Sequence, residues 1–201
     1  PKLAYIMEGD TPSFLGLVEN GLGWSESPAY GGWAGRYVWY QSYAETHPIW
    51  TDSMDNRDTI EVNGKPHVSN QATIWRWRKH FQHDFAARMD WCVKDFKDAN
   101  HPPVAKVKGS LKRDVKPGET VKLVATATDP DGNKLTCKWW QYADADSAAA
   151  TVAIANSDSL HKASFVVPNE PGKQIHIILE VTDNGTPALT RYQRVIFTVK
   201  P

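Results

Sequence analysis

Two hydrophobic periodicities run along this chain, and they occupy different halves of it. Over residues 71–97 apolar side chains recur at helical spacing, as Ile74, Trp77, Phe81, Phe85, Met89 (or Arg88), Cys92 and Phe96. This predicts one long amphipathic helix, capped by Ser69 or Asn70. Further along, the period drops to two. Val121, Leu123, Ala125 and Ala127 share one face against Lys122, Thr126 and Thr128. Leu135, Cys137 and Trp139 alternate with Thr136, Lys138 and Trp140, and later rows run Ile175, Ile177, Leu179, Val181 and Val195, Phe197, Val199. Turn signals at 116–118, 129–132, 168–172 and 183–185 separate these runs. About seven short strands at such spacing predict an immunoglobulin-like β-sandwich, with Trp139 as the core tryptophan of its third strand.

The earlier half is less regular. Residues 3–7 read as a short buried strand, and Thr11 before Pro12 starts a short helix that ends near Asn20-Gly21. A Gly- and Trp-rich loop follows over 21–36, and loops of that length are often functional. Residues 37–40 form a strand or a helical turn. Residues 52–58 are turn-like, and Asn63-Gly64 marks a small hairpin. The character of the chain changes at 99–103. This places a domain boundary there, with an α+β piece over residues 1–100 and an all-β sandwich over residues 101–201. One long helix and few strands do not close an α/β domain, so the first piece reads as part of a larger one.

Composition narrows the function classes. Of 201 residues, 41% are hydrophobic and 23% charged, an ordinary globular balance, and the formal net charge is zero. The first half carries 10 basic against 13 acidic residues and the second 13 against 10. Neither has the basic bias of a nucleic-acid binder. No apolar run approaches the roughly 20 residues of a membrane span, and no signal peptide opens the chain. Cys92 and Cys137 fall in different predicted domains and read as buried free thiols, with a bridge as the alternative. Tryptophan is the anomaly: nine in all, seven of them before residue 92. Such side chains fill cores, interfaces and sugar-stacking surfaces alike.

The stretch Met7-Glu8-Gly9-Asp10-Thr11-Pro12-Ser13-Phe14-Leu15-Gly16-Leu17 is distinctive. So is Gln71-Ala72-Thr73-Ile74-Trp75-Arg76-Trp77-Arg78, running on to Phe85-Ala86-Ala87-Arg88-Met89-Asp90-Trp91. Together they resemble a mostly bacterial, secreted family described as cellulose-binding. Its members pair a domain similar to nucleoside hydrolases with an immunoglobulin-like C-terminal domain. The resemblance implies a secreted or periplasmic protein with a carbohydrate or nucleoside-like ligand, of which this chain is the C-terminal portion. It implies that the rest of the hydrolase-like domain lies before Pro1. It also implies that Asp10, after a strand and at a helix start, matches the late aspartate that holds Ca²⁺ in nucleoside hydrolases. Gly9 stands where that family usually has His.

Each candidate site has a structural alternative. Glu8 could bind a ligand and Asp10 a Ca²⁺ ion, since hard cations prefer carboxylate oxygens; Asp10 could equally cap the helix at Pro12. Trp24, Trp33 and Arg36, with Tyr30, could line a sugar cleft or pin the loop by packing. Trp140 and Tyr142 share the outward parity of their strand, as a glycan platform or as buried interface. Asp129, Asp131 and Asp183 read as turn residues. His80, His83 and Asp84 read as a helix face, since the full H-E-x-x-H pattern is missing. Glu45, Asp52 and Asp55 offer carboxylates of unknown separation. Three functions follow: a carbohydrate-binding portion with the sandwich as glycan-binding or bracing module; part of a Ca²⁺-dependent glycosidic-bond hydrolase; or a structural spacer.

Overall fold

A computed structural model describes residues 12–41, 43–51 and 57–201. The predicted strand at 3–7, together with Glu8, Asp10, Asp52 and Asp55, lies outside the described residues. The chain divides into two compact units, Pro1–Gln82 and His83–Pro201. The sequence changes character near residue 100, whereas this division falls inside a helix. Among the described residues, β-strands predominate and helices are few.

In the first unit, Pro12–Leu17 and Pro28–Tyr30 are 3-10 turns flanking the Gly/Trp loop. Strand β1 (Val38–Tyr40) pairs antiparallel with β2 (Ile49–Thr51), placing Trp39 opposite Trp50. Strand β3 (Asp58–Val62) pairs with β4 (Lys65–Ser69). Their connection is the expected Asn-Gly turn, with Asn63 at φ 52° and Gly64 at φ 74°. Two positive φ values in a two-residue loop match the right-handed twist of the flanking strands.

The predicted long helix is in fact two. Helix α1 (Ala72–Trp75) stops at a tightened turn, and α2 (Arg78–Trp91) begins beyond it. Neither glycine nor proline stands at the break. The Trp77 N–H reaches the Ile74 carbonyl and the Trp77 carbonyl accepts from His80 and Phe81. The turn accompanies complete burial of the Trp77 indole while Trp75 faces outward. Trp77 therefore contributes to the interior of the first unit rather than to an exposed apolar face. The buried face of α2 also differs from the expected stripe. Phe81, Asp84 and Ala87 are buried, whereas Phe85 and Met89 are exposed. Helix α2 ends at Trp91 rather than near residue 97, and a 3-10 turn covers Phe96–Asp98. Trp91 is held there: its Nε1 donates to the Asn100 carbonyl at 2.7 Å and its ring stacks on His101.

Beyond residue 103 the strands are β5 (Val104–Val107), β6 (Lys112–Val115), β7 (Thr120–Leu123), β8 (Ala125–Thr128), β9 (Thr136–Gln141), β10 (Ala163–Val166), β11 (Gln174–Thr182) and β12 (Thr190–Val199). One sheet has the order β6-β12-β11-β9, with β6 parallel to β12 and the other pairs antiparallel. Strand β7 pairs with β10 and β8 with β5. Val124 lies between β7 and β8, where the chain changes pairing partner. The alternating rows converge on one core that includes Leu123, Ala125, Trp139, Phe165, Ile177 and Phe197. The Trp139 Nε1 donates to the Ser159 carbonyl at 3.0 Å, which satisfies its one polar atom. The opposite face of β11 and β12 is buried as well, through His176, Ile178, Tyr192 and Arg194. Cys92 and Cys137 are both free thiols, but neither is buried as expected: Cys92 is exposed and Cys137 half-buried.

Candidate functional site

The Gly/Trp loop is a packed structure. Trp24 Nε1 donates to the Gly35 carbonyl at 3.0 Å, and its ring meets Tyr37 edge-on at 5.8 Å. Tyr37 Oη in turn shares a 2.8 Å hydrogen bond with Ser13 Oγ. Gly16 lies against the Trp24 indole so closely that a Cβ there would collide with the ring. Trp33 is buried, with 1% of its surface accessible. Its ring face cannot receive a sugar in this arrangement, which corrects its assignment as a ligand-stacking residue. Trp24 keeps part of one edge on a shallow crevice shared with Glu19, Asn20 and Ser25.

Arg36 is committed elsewhere than to a ligand. Its Nε donates to Asp58 Oδ1 at 2.8 Å and its Nη2 to the Arg57 carbonyl. Asp58 is fully buried, and its second oxygen faces Arg76 Nε at 3.3 Å. One carboxylate between two guanidiniums thus ties the end of the Gly/Trp loop, β3 and the residue after α1 together. A buried carboxylate is tolerated here because both of its oxygens face positive charge.

Trp140 and Tyr142 do not form an exposed flat platform. Tyr142 is fully buried, its ring is tilted 48° from that of Trp140, and Arg194 Cζ lies 5.4 Å from its centroid. The physical reason is that β9 ends at Gln141, so the outward parity of the strand no longer governs the next residue. Around Tyr142 lies a polar cluster. Asp146 accepts from Gln141 Nε2 and from the His176 N–H, both at 2.6 Å, and Arg194 Nη1 donates to His176 Nδ1 at 2.9 Å. Burial, opposed by these bonds and the Arg194 charge, raises the Asp146 carboxyl to about 6. Burial, and then the Arg194 charge, lowers His176 to about 3. His176 is therefore neutral and accepts through Nδ1.

The remaining acidic candidates serve local structure. Asp129 Oδ1 accepts from the Asp131 and Asn133 N–H groups, and Asp183 Oδ1 from those of Gly185 and Leu189. Asp131 accepts from the His101 backbone and ring. His83 Nδ1 lies 2.8 Å from the Ala188 carbonyl, and Asp84 joins Arg88 and Arg191 at 2.6 and 2.9 Å. Among the described residues, no three His, Cys, Asp or Glu side chains are grouped to hold a metal.

Two features escaped the sequence reading. The first is the Asp84–Arg191 pair, which joins the second half of α2 to β12. The second is the pair Trp39 and Trp50, opposite each other on β1 and β2, with ring centroids 5.4 Å apart and planes at 58°. They are 59% and 40% exposed. The available signal was two tryptophan-centred apolar triplets, Val38-Trp39-Tyr40 and Ile49-Trp50-Thr51, flanking a polar stretch.

Comparison with known proteins bears on both halves. Residues 1–37 match the family model described as "Cellulose-binding Sde182, nucleoside hydrolase-like domain". Residues 120–199 match "Cellulose-binding protein Sde0182, C-terminal domain". Among solved structures, a nucleoside hydrolase-related hypothetical protein from Saccharophagus degradans, associated with carbohydrate metabolism, is 34% identical at a TM-score of 0.76. The match covers 98% of this chain and 48% of that one, so the chain spans about half the length of that relative. A chimeric titin Z1Z2 is 16% identical, over 51% of this chain and 99% of its own, at a TM-score of 0.27 that carries no weight. No curated protein matches. With a match in each half and a solved relative across nearly its whole length, the chain belongs to the family of cellulose-binding proteins that join a nucleoside hydrolase-like domain to a distinct C-terminal domain.

Proposed function

We propose that this chain is the C-terminal portion of a secreted or periplasmic carbohydrate-binding protein. In this reading the boundary drawn near residue 100 separates the hydrolase-like portion from a bracing module. Strand order β6-β12-β11-β9, opposed by β5, β8, β7 and β10, supports an immunoglobulin-like architecture for that module. The observation that carries the bracing role is the grip on α2. Asp84 meets Arg191 at 2.9 Å on β12, and His83 meets the Ala188 carbonyl. The same module buries Tyr142, which leaves it without the flat aromatic strip that a glycan-binding role would use.

The test is calorimetric titration of the full-length parent with cello-oligosaccharides. Binding that survives Trp140→Ala and Tyr142→Phe supports a bracing module. Binding abolished by either change while the fold persists would return the glycan site to it. Absence of any sugar binding would leave the spacer reading.

A second reading is favoured by one observation: the hydrolase-like family match over residues 1–37 contains Glu8 and Asp10. In a Ca²⁺-dependent hydrolase of glycosidic or N-glycosyl bonds, Asp10 would be a metal ligand and Glu8 a ligand contact. Titration with Ca²⁺ and nucleosides checks it. Ca²⁺ binding lost in Asp10→Ala would advance it, and unchanged binding would remove Asp10 from any metal site.

A further inference from the structure

The hairpin β1–β2 presents the most exposed paired tryptophans among the described residues. Trp39 and Trp50 face each other directly in the strand register. They therefore project from one face of the ladder, while Val38, Tyr40, Ile49 and Thr51 take the other. The backbone pairing of two strands sets the spacing of the two indoles, at 5.4 Å between centroids. The loop joining the strands is tied by Gln41 Nε2, which donates to the Glu45 carbonyl at 2.9 Å. Gln41 and Glu45 are exposed beside the ladder and supply an amide and a carboxylate.

From this geometry we infer that Trp39 and Trp50 form a binding site for a single β-linked glucan chain. The inference rests on the carbohydrate-binding reading above and names its point of contact. A pyranose of such a chain carries its C–H groups on the ring faces and its hydroxyls round the edge. The C–H faces pack on the electron-rich indole faces, and the hydroxyls reach Gln41 and Glu45. The 58° angle between the rings means that they do not form one flat surface. A separated chain can lie against the exposed side of tilted rings, whereas a flat crystalline surface needs coplanar ones.

The test uses the full-length parent, with cellohexaose and crystalline cellulose as probes. Trp39→Ala and Trp50→Ala are each expected to weaken cellohexaose binding by at least about tenfold, with Trp140→Ala unchanged. In the unmodified protein, cellohexaose is expected to protect Trp39 and Trp50 from N-bromosuccinimide oxidation, read by peptide mapping. This second readout does not depend on how the variants fold. Unchanged affinity in both variants, or no protection of either indole while the protein binds the sugar, overturns the site but leaves the carbohydrate reading standing. Binding to crystalline cellulose in preference to cellohexaose overturns the single-chain assignment. A parent that binds neither probe overturns both.

Discussion

At the scale of single residues, buried charge governs this chain more than surface charge does. Asp146 and His176 oppose each other in their effect on stability. The Asp146 carboxyl is raised from 3.8 to about 6. The folded chain therefore holds an extra proton between those values, and that stabilisation is present at low pH and lost as pH rises through about 6. His176 is lowered from 6.5 to about 3. Its contribution is full above 6.5 and is lost as pH falls toward 3. Between pH 4 and 6 the two slopes have opposite signs. Thermal melts of the native chain should change little across that window from this cluster. In Asp146→Asn only the histidine slope remains, so Tm should fall on acidification, by up to about 1.4 kcal/mol of stability per pH unit. A flat profile in the variant would refute the assignment. Asp58 behaves differently, because two guanidiniums depend on it. Asp58→Ala should cost about 3 kcal/mol in urea unfolding, since both arginines lose their buried counter-charge. Arg36→Ala should cost less, because Arg76 still faces the carboxylate. Sequence reading placed Arg36 among ligand contacts because an arginine beside glycines and tryptophans looks the same whether its partner is a sugar or a carboxylate 22 positions away.

At the scale of elements, local signals worked where the chemistry was local. The Asn63-Gly64 hairpin and the alternating rows of β7, β11 and β12 formed as the residue pattern implies. Gly64 has open space around its Cα but sits at φ 74°. Gly64→Ala should therefore cost about 1 kcal/mol through backbone conformation alone, measurable as a lower urea midpoint with unchanged m-value. The helix was legible in existence but not in its break or its buried face. Periodicity admitted Phe85 and Met89 to the stripe, yet Asp84 and Ala87 occupy the buried side. A carboxylate replaces an apolar group there because Arg88 and Arg191 neutralise it, and Arg191 is supplied by a strand remote in sequence. Asp84→Ala should raise hydrogen exchange in the second half of α2 while Ile177 and Phe197, deep in the β core, stay protected. Equal loss of protection in both would mean that α2 and the β core open as one unit.

For the whole molecule, the sequence by itself determined the two contrasting halves, the β-rich character of the second, the Asn-Gly hairpin and the family. These follow from side-chain alternation, backbone preferences and motif residues, which are properties of neighbours along the chain. Only the tertiary structure decided which tryptophans are spent on packing and which reach solvent. Beyond Trp77 and Trp139, whose periodic rows already marked them as inward, Trp33 is buried and Trp39 and Trp50 are exposed, although these three look alike in a residue pattern. It also decided that Tyr142 turns inward beneath Arg194, and that the compact units divide at Gln82 and His83 within α2. The reason is physical. Burial and ion pairing are settled by groups that meet across long separations, as His83 meets Ala188 at 105 residues, and no local periodicity carries that information.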